Sequence, residues 1–423
     1  MTPRVRTWRY GALATTGVLA IAACGSSGGT GGGTSTTPGI PTGPGVTSSK
    51  ITLGVLTDLT GAFAALGKSV TQGATLFWQD QNKKGGVCGR TVELLTKDHG
   101  YNVQNAVSLY TSMQPQVLAF QELLGSPMTA ALLNSIASDT VLTQPVSWSS
   151  KLLTNPFVVL SGTSYDLEMI DGLDWLMKNK GLKTGDKVGH IYLEGEYGED
   201  GLLGTTTFAK ANGLTVVAQK IQPTDKDMTA QVQAIKAAGA RYIMLTSTPT
   251  QAASAVSIAE AQGFDATFMG NNPTFVPTLL SGPAKTALQR RFYLAASSSP
   301  FAGDAPGAKS VRDEYLAAYP QDTPNAGVDF GYGQAEIMYA ILHAACTSAT
   351  PSLERLALLK SFQKLTSVDT QGLIAPLDYS KPGQPPARQA YVLQPDSAVQ
   401  GGLKVAQPLF AAPLAETYKC PCL

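Results

Sequence analysis

The chain has 423 residues, of which 43% are hydrophobic and 14% are charged, and its formal net charge at pH 7 is +1. Residues 1–23 contain three of the 31 basic residues and none of the 30 acidic ones, so the remaining chain has a net charge of −2. This balance excludes the basic patch that a nucleic-acid-binding protein usually carries. The length is sufficient for two domains of ordinary size.

The N-terminal segment has the pattern of a secretory signal. Arg4, Arg6 and Arg9 precede an apolar stretch over 11–23, which is too short to cross a hydrocarbon core of about 30 Å as a helix. Small apolar residues lead up to Cys24, and this arrangement resembles the lipobox of bacterial lipoproteins. The resemblance implies cleavage before Cys24 and lipidation of its thiol. An ordinary signal peptide with an incidental cysteine is the alternative.

Residues 24–50 consist almost entirely of Gly, Ser, Thr and Pro after the cysteine. Such a composition cannot bury a core and is typical of a flexible linker. A linker of this length reaches roughly 25–30 Å. We therefore expect a body that is extracytoplasmic and anchored by its lipid to the outer face of the cell membrane.

The body begins with a strand, "ITLGVLTDLTG", and a helix, "KSVTQGATLFWQDQNKKGG". In the helix, Val70, Ala74, Phe77 and Trp78 fall at spacings that form one apolar face, and Gly85 and Gly86 follow as a stop signal. The pattern therefore predicts that Trp78 belongs to the core.

The same alternation continues along the chain. Strand-like "TVELLTKD", helical "NVQNAVSLYTSM" and strand-like "QVLAFQELLGS" are followed by a second series from "KVGHIYLEGEYGEDG" to "DATFMGNNP". Apolar runs rich in β-branched residues that alternate with helical periods predict an α/β fold with two doubly wound parallel-sheet halves. Ligands of such sheets collect beyond the carboxyl ends of the strands.

The cysteines after Cys24 permit disulfides in an exported protein, and the four of them, Cys88, Cys346, Cys420 and Cys422, allow three full pairings. Cys420 and Cys422 flank a single proline, and a bond between them would close a very tight ring. We therefore expect each of them to pair with Cys88 or Cys346. A metal site is disfavoured because neither a CxxC spacing nor a neighbouring histidine is present, and we expect no metal and no cofactor.

The order of motifs resembles the type I periplasmic binding proteins, especially the leucine/isoleucine/valine-binding group that feeds ABC importers. The resemblance rests on "ITLGVLTDLTGAFAALGKSVTQGATLFWQDQNKKGGVCGRTVELLTKDHGYN", "LLGSPMTAAL", "TQPVSWSS", "IYLEGEYGEDGL" and "ATFMGNNP". It implies two lobes joined by a hinge that the chain crosses three times. Lobe 1 would comprise 51–162 and 297–371, lobe 2 would comprise 163–296 and 372–412, and 413–423 would form a tail.

The resemblance also implies a function. The lobes would close on a small-molecule ligand, and the closed form, expected to be a monomer, would deliver the ligand to the permease subunits of an ABC transporter. A lipid-anchored sensor of the same fold that is coupled to signalling is the alternative, because fold alone does not determine function.

Candidate ligand-binding residues of lobe 1 lie in two motifs, the first of which follows an apolar strand. In "GSPMT", Ser126 and Thr129 offer hydroxyls at a helix start, where free N–H groups suit a carboxylate, although Ser126 could also be only a cap. In "PVSWSS", Ser147 and Ser149 match family positions that bind the ligand's carboxylate. Trp148 between them could stack on a ligand or simply fill the lobe.

In lobe 2, Tyr197 in "GEYGED" matches a family tyrosine that lines the cleft, and a partly buried surface tyrosine is the alternative. Ser247 and Thr248 end another strand and would face the same gap.

The sequence departs from the family at "GNNP". Amino-acid-binding members usually place an acidic side chain there to pair with the ligand's ammonium, and this chain has Asn271 and Asn272. An amide cannot neutralise a buried charge. Unless Glu194 or Glu196 supplies the charge, the ligand is expected to be a neutral amide, a carboxylate or an aromatic acid.

An enzyme is not expected. GxSxG, HExxH and P-loop motifs are absent from the sequence, and His99, His190 and His343 stand alone in strand-like or helical surroundings.

Overall fold

The computed structural model describes residues 39–420 of the protein, and this range contains two β-sheets flanked by helices. The strands are β1 (Lys50–Thr57), β2 (Thr91–Asp98), β3 (Phe120–Leu124), β4 (Thr143–Val146), β5 (Lys187–Leu193), β6 (Thr215–Ile221), β7 (Tyr242–Thr246), β8 (Thr267–Asn271), β9 (Phe292–Ala296), β10 (Ala390–Pro395) and β11 (Leu403–Phe410).

The helices are α1 (Ala64–Lys83), α2 (Val103–Met113), α3 (Ser126–Ser138), α4 (Tyr165–Lys180), α5 (Glu196–Asn212), α6 (Thr229–Ala237), α7 (Pro249–Ala261), α8 (Lys285–Arg291), α9 (Ala308–Ala318), α10 (Gly327–Thr347), α11 (Arg355–Phe362) and α12 (Pro413–Thr417). Short 3₁₀ helices cover Gln114–Gln116, Ser150–Thr154 and Pro277–Ser281.

The first sheet, which defines lobe 1, has the order β2-β1-β3-β4 with parallel neighbours throughout. The second sheet, which defines lobe 2, has the order β11-β10-β9-β8-β7-β5-β6. Its strands β5 to β9 are parallel, so the predicted doubly wound α/β class is confirmed. Strands β10 and β11 add an antiparallel edge that the sequence patterns did not predict.

Both sheets reverse their strand order at one point, between β1 and β3 in lobe 1 and between β5 and β7 in lobe 2. Connections leave the sheet on opposite faces at such a point, and the loops there open a crevice beyond the carboxyl ends. The topology therefore directs attention to the loops that follow these four strands.

The chain passes between the two sheets three times, after β4, after β9 and before β10. Isolated bridges join two pairs of these connecting segments, Thr163 with Ala387 and Ser298 with Ile374. Gly162 has a φ of 119°, and a Cβ atom there would lie 2.5 Å from the Ser297 Oγ. The connecting segments thus pack too closely for a side chain at this position. The residue limits predicted for each lobe stay a prediction.

Helix α1 confirms the predicted apolar face, because Val70, Ala74, Phe77 and Trp78 are all buried. The helix packs along α10, and Trp78 donates from its Nε1 to the Gln121 Oε1 at 3.1 Å. Trp78 is therefore a core residue, as its position in the helical pattern predicts.

The segment over 40–50, which its composition places in the tether, instead packs on the body. Leu353 donates its N–H to the Pro41 carbonyl at 2.8 Å, Gly43 donates to the Leu353 carbonyl at 3.0 Å, and Val46 contacts the core. These hydrogen bonds satisfy backbone groups that composition alone leaves unassigned. The predicted tether is therefore too long at its C-terminal end.

Cys88 and Cys346 are bonded to each other, and their Cα atoms are 6.5 Å apart. The expectation that each would pair with Cys420 or Cys422 is wrong, because α1 and α10 lie side by side and bring the Cys88 turn next to the end of α10. Cys422 and Cys24 lie outside the described residues. Between residues 39 and 420, none of the helices has the length and apolar character needed to cross a membrane.

Candidate functional site

Two neighbouring strand ends of lobe 1 bring the first candidate serines together. Ser126 begins α3 directly after β3, Ser147 follows β4, and their Oγ atoms are 2.6 Å apart. Gly125 between β3 and α3 has a φ of 104°, and a Cβ there would lie 2.8 Å from the Met128 Cε. A glycine is therefore needed to turn the chain so that the helix start faces the crevice. The first turn of α3 also carries N–H groups that have no partner within the helix.

The other lobe 1 candidates play different parts. Thr129 is buried and donates from its Oγ1 to the Gly125 carbonyl at 2.9 Å, so its hydroxyl is occupied at the helix start. Ser149 is buried, and its Oγ has no hydrogen-bond partner among the described residues. A buried hydroxyl without a partner is costly, so Ser149 keeps a donor that a ligand or a water could use.

Trp148 is 3% exposed and lies between two aromatic rings. Its ring centroid is 4.8 Å from that of Phe330 and 5.9 Å from that of Tyr165, and its Nε1 donates to the Ser161 carbonyl at 2.9 Å. The indole is therefore held firmly in lobe 1, while it also lines a space between the lobes.

In lobe 2, Tyr197 stands in the first turn of α5 and is buried. Its hydroxyl donates to the Asn271 Oδ1 at 3.0 Å and lies 3.4 Å from the Ser247 carbonyl oxygen. The Ser247 hydroxyl donates to the Thr248 carbonyl, and the Thr248 side chain caps α7. These polar groups are thus paired within their own lobe.

The acid that is missing at Asn272 is present in the fold at Glu168, in the first turns of α4. Asn272 donates from its Nδ2 to the Glu168 Oε1 at 3.1 Å and from its backbone N–H to the Glu168 Oε2 at 3.2 Å. Glu168 is fully buried, and this burial raises its pKa well above the ordinary value even though these donors lower it. The Glu168 carboxyl group therefore has its hydrogen-bond partners within the protein.

Neither Glu194 nor Glu196 supplies the acidic side chain that is missing at Asn272. Glu194 is exposed, and hydrogen bonds from Gln222 and Lys220 lower its pKa. Glu196 lies near Lys151, with 3.7 Å between the Lys Nζ and the Glu Oε2. Both carboxylates belong to ion pairs at the rim of the lobe.

Between these walls lies a small compartment that sequence analysis mostly missed. Beside Ser126 and Tyr197 it is lined by apolar and aromatic side chains, namely Phe63, Leu66, Tyr101, Leu124, Val146, Tyr165 and Pro273. The rings of Tyr165 and Tyr197 are 4.7 Å apart, and those of Phe63 and Tyr101 are also 4.7 Å apart. Phe63 follows β1, Tyr101 precedes α2 and Tyr165 begins α4. These positions could have identified the three residues, because the loops leave the same sheet edges.

A second space shares part of its lining with the first. Leu66 and Pro273 line both spaces. Asn272 and Trp148, two of the predicted site residues, line the second space and not the first.

The lobes also contact each other beside the site. Ser150, at the start of a 3₁₀ helix in lobe 1, donates from its N–H to the Asp200 Oδ2 at 3.0 Å and from its Oγ to the Asp200 Oδ1 at 2.5 Å. Asp200 belongs to α5 of lobe 2 and is fully buried. Its burial, reinforced by the neighbouring Asp166 carboxyl, raises its pKa well above the ordinary value. Closure of the lobes therefore includes a buried polar contact.

The histidines that the structure describes have structural surroundings. His99 is buried with its Nε2 3.0 Å from the Leu124 carbonyl oxygen, and His190 is buried against the Thr246 hydroxyl at 2.8 Å. Burial lowers the pKa of His190 to about 3. Over residues 39–420, no cluster of His, Cys, Asp and Glu is placed to hold a metal ion.

Comparisons with known proteins agree on one kind of protein. Residues 50–401 match the model of a family described as "Periplasmic binding protein". A fatty acid ABC transporter substrate-binding protein from Thermomonospora curvata is 41% identical and superposes with a TM-score of 0.88, over 90% of this chain and 98% of that one.

Two further relatives are more distant. A branched chain amino acid ABC transporter from Thermus thermophilus with bound valine shares the fold, with a TM-score of 0.78 at 18% identity over 88% of this chain and 99% of that one. A Leu/Ile/Val-binding protein homolog 3 from Brucella melitensis is 28% identical over 200 residues. That match covers 46% of this chain and spans about half of the relative's length, namely 53%.

Proposed function

This chain belongs to the periplasmic binding protein family, and we propose that it captures a carboxylic acid with an apolar body outside the cytoplasm for an ABC transporter. The observation that carries the proposal is the placement of Ser126, whose Oγ is 2.6 Å from the Ser147 Oγ, against a compartment with aromatic and aliphatic walls. Neutral hydroxyls and the N–H groups of a helix start can bind a carboxylate without a counter-charge. The remaining walls match an apolar body.

The chemistry of lobe 2 supports an acid without an ammonium group. Both residues at the family's acidic position are amides, and the nearby Glu168 already accepts two hydrogen bonds from Asn272. A buried ammonium without a counter-charge is strongly unfavourable. Support also comes from the Thermomonospora curvata relative, whose name states a fatty acid as its substrate class.

The anchoring of the protein is part of the proposal. The basic residues, the apolar run and Cys24 support export and lipidation, with the body held on the outer face of the membrane next to a permease. Export of the full chain with and without Cys24→Ala tests this part. The parent chain should fractionate with membranes, and the variant should be released.

Isothermal titration tests the ligand class on the chain from Gly25 to Leu423, which retains the whole compact unit that begins at Ile40. Octanoate should bind, whereas octanamide, octylamine and leucine should bind at least tenfold more weakly. Octanamide isolates the charge of the carboxylate, and octylamine tests whether the apolar body alone is sufficient. Tighter binding of leucine or valine than of octanoate would overturn the acid assignment and favour an amino-acid importer.

A further inference from the structure

The cleft continues beyond the compartment that holds the candidate serines. Leu66 of α1 and Pro273 after β8 line both spaces, so these two side chains form a wall that the spaces share. Gly67, the neighbour of Leu66, lets α1 pack closely against the end of β1, because a Cβ at position 67 would lie 2.1 Å from the Asp58 carbonyl oxygen. This close packing holds Leu66 in place.

The second space is enclosed by both lobes. Lobe 1 contributes Trp148 and Phe330, while lobe 2 contributes Phe275, Leu294 and Leu403. A molecule in this space would therefore contact both lobes and favour their closed arrangement.

Two of the polar side chains around the second space, those of Asn272 and Asn325, are already hydrogen-bonded to protein groups. Asn272 is paired with Glu168. Asn325 donates from its Nδ2 to the Ser69 Oγ at 2.8 Å and accepts the Gly327 N–H at 2.8 Å through its Oδ1. Polar groups that are occupied in this way add little attraction for a polar ligand, so hydrocarbon is the chemistry that fits the space.

We propose that the second space is a subsite for the hydrocarbon tail of the ligand. This inference rests on the proposed function, since it places the carboxylate at Ser126 and Ser147 and leads the tail past Leu66 and Pro273 to Phe275 and Phe330. The preferred ligand is then a straight-chain monocarboxylate of medium length or longer. Short branched acids fill the first compartment alone.

A chain-length series measured by titration calorimetry tests the inference on the chain from Gly25 to Leu423. Butanoate, hexanoate, octanoate, decanoate and dodecanoate are used below their micelle concentrations. Each methylene that enters an apolar site should strengthen binding about fourfold. Affinity should therefore rise steadily beyond hexanoate.

Two variants fill the second space from opposite sides. Ala326→Phe, at the start of α10, and Val276→Phe, in the segment before a 3₁₀ helix, both lie at positions that line the second space and not the first. Each should weaken dodecanoate binding at least tenfold and leave butanoate binding within twofold. Ala317→Phe on an exposed position of α9 is the matched control and should leave both unchanged. Thermal unfolding without ligand verifies that each variant is folded.

The outcomes separate the two proposals. Acids that bind without any gain beyond hexanoate, or filled variants that weaken butanoate and dodecanoate equally, would overturn the tail subsite and leave the proposed function in place. Failure of every acid to bind the parent chain would overturn the proposed function, and the tail subsite with it.

Discussion

The two walls of the cleft use their polar groups differently. In lobe 1, Ser126 and Ser147 are bonded to each other, and the Ser149 Oγ has no partner among the described residues. In lobe 2, Tyr197 donates to Asn271, and Asn272 donates twice to Glu168. The lobe 1 wall therefore keeps hydroxyl donors for a ligand, whereas the lobe 2 wall uses most of its polar groups to hold its own shape and keeps one buried amide donor, the Asn271 Nδ2, without a partner among the described residues.

The largest effect should come from removing the donors of lobe 1. The double variant Ser126→Ala, Ser147→Ala should weaken octanoate binding about 100-fold, because each hydrogen bond to a charged group contributes about 1.5–3 kcal/mol. Stability should change little, since both partners of one buried hydrogen bond are removed together. Titration calorimetry measures the affinity, and urea unfolding measures the stability. Ser138→Ala at the exposed end of α3 is the control, and equal affinity of the two variants would refute the lobe 1 assignment.

The buried acids extend the comparison to pH. Glu122 on β3 of lobe 1 accepts the Thr71 hydroxyl at 2.9 Å, its other oxygen has no partner among the described residues, and burial raises its pKa to about 7. The folded state therefore keeps a proton that the unfolded state loses near pH 4.5, and the free energy of unfolding falls as pH rises from about 4.5 to about 7. Glu122→Gln should remove this loss.

Urea unfolding at pH 5 and pH 8 measures this effect. Between these pH values the variant should gain about 2 kcal/mol of stability relative to the parent chain. Glu93→Gln at an exposed site of β2 should retain the parent's pH dependence. A constant difference between Glu122→Gln and the parent at both pH values would contradict the shifted pKa.

Removing a hydrogen bond of the lobe 2 wall should lower stability and change affinity little, which is the opposite of the effect expected for the serine variant. Asn272→Ala removes a side-chain donor from the buried Glu168 carboxyl, and stability should fall by about 1–2 kcal/mol. Octanoate affinity should change less than threefold. If instead the affinity falls strongly while the unfolding midpoint stays constant, Asn272 acts on the ligand directly and the contrast between the walls disappears.

The smallest effect should come from the contact between the lobes. Ser150→Ala removes one of two hydrogen bonds to Asp200, so octanoate affinity should fall about fivefold through destabilisation of the closed arrangement. Lys151→Ala removes only half-exposed ion pairs with Glu196 and Glu199 and should change affinity less than twofold. A larger effect of Lys151→Ala than of Ser150→Ala would assign the interlobe contact to the rim charges.

Several features of the fold could be predicted because they are local. The spacing of Val70, Ala74, Phe77 and Trp78 predicts the buried face of α1, and β-branched runs predict β1, β2, β3, β5, β6 and β7. The antiparallel edge formed by β10 and β11 was missed, since short apolar runs late in the chain do not identify their pairing partner.

The candidate site also contains features that the sequence could predict and features that it could not. Ser126 and Ser147 were each predicted as site residues, and they meet because the ends of the adjacent parallel strands β3 and β4 lie at one edge of a sheet. Glu168 could not be matched with Asn272 in advance, since 104 positions separate them and their contact depends on how α4 packs across β8. Three aromatic residues of the first compartment, Phe63, Tyr101 and Tyr165, were missed for a related reason, since they come from different loops.

Residue order along the chain was enough to define the alternating elements and the candidate serines of lobe 1, because each depends on neighbours within a few turns. Packing between distant segments set the Cys88–Cys346 bond, the hydrogen bond between Asn272 and Glu168, and the placement of Leu66 and Pro273 between the two spaces. These features depend on distances across the lobes, and such distances arise only when the sheets, helices and connecting segments have packed together.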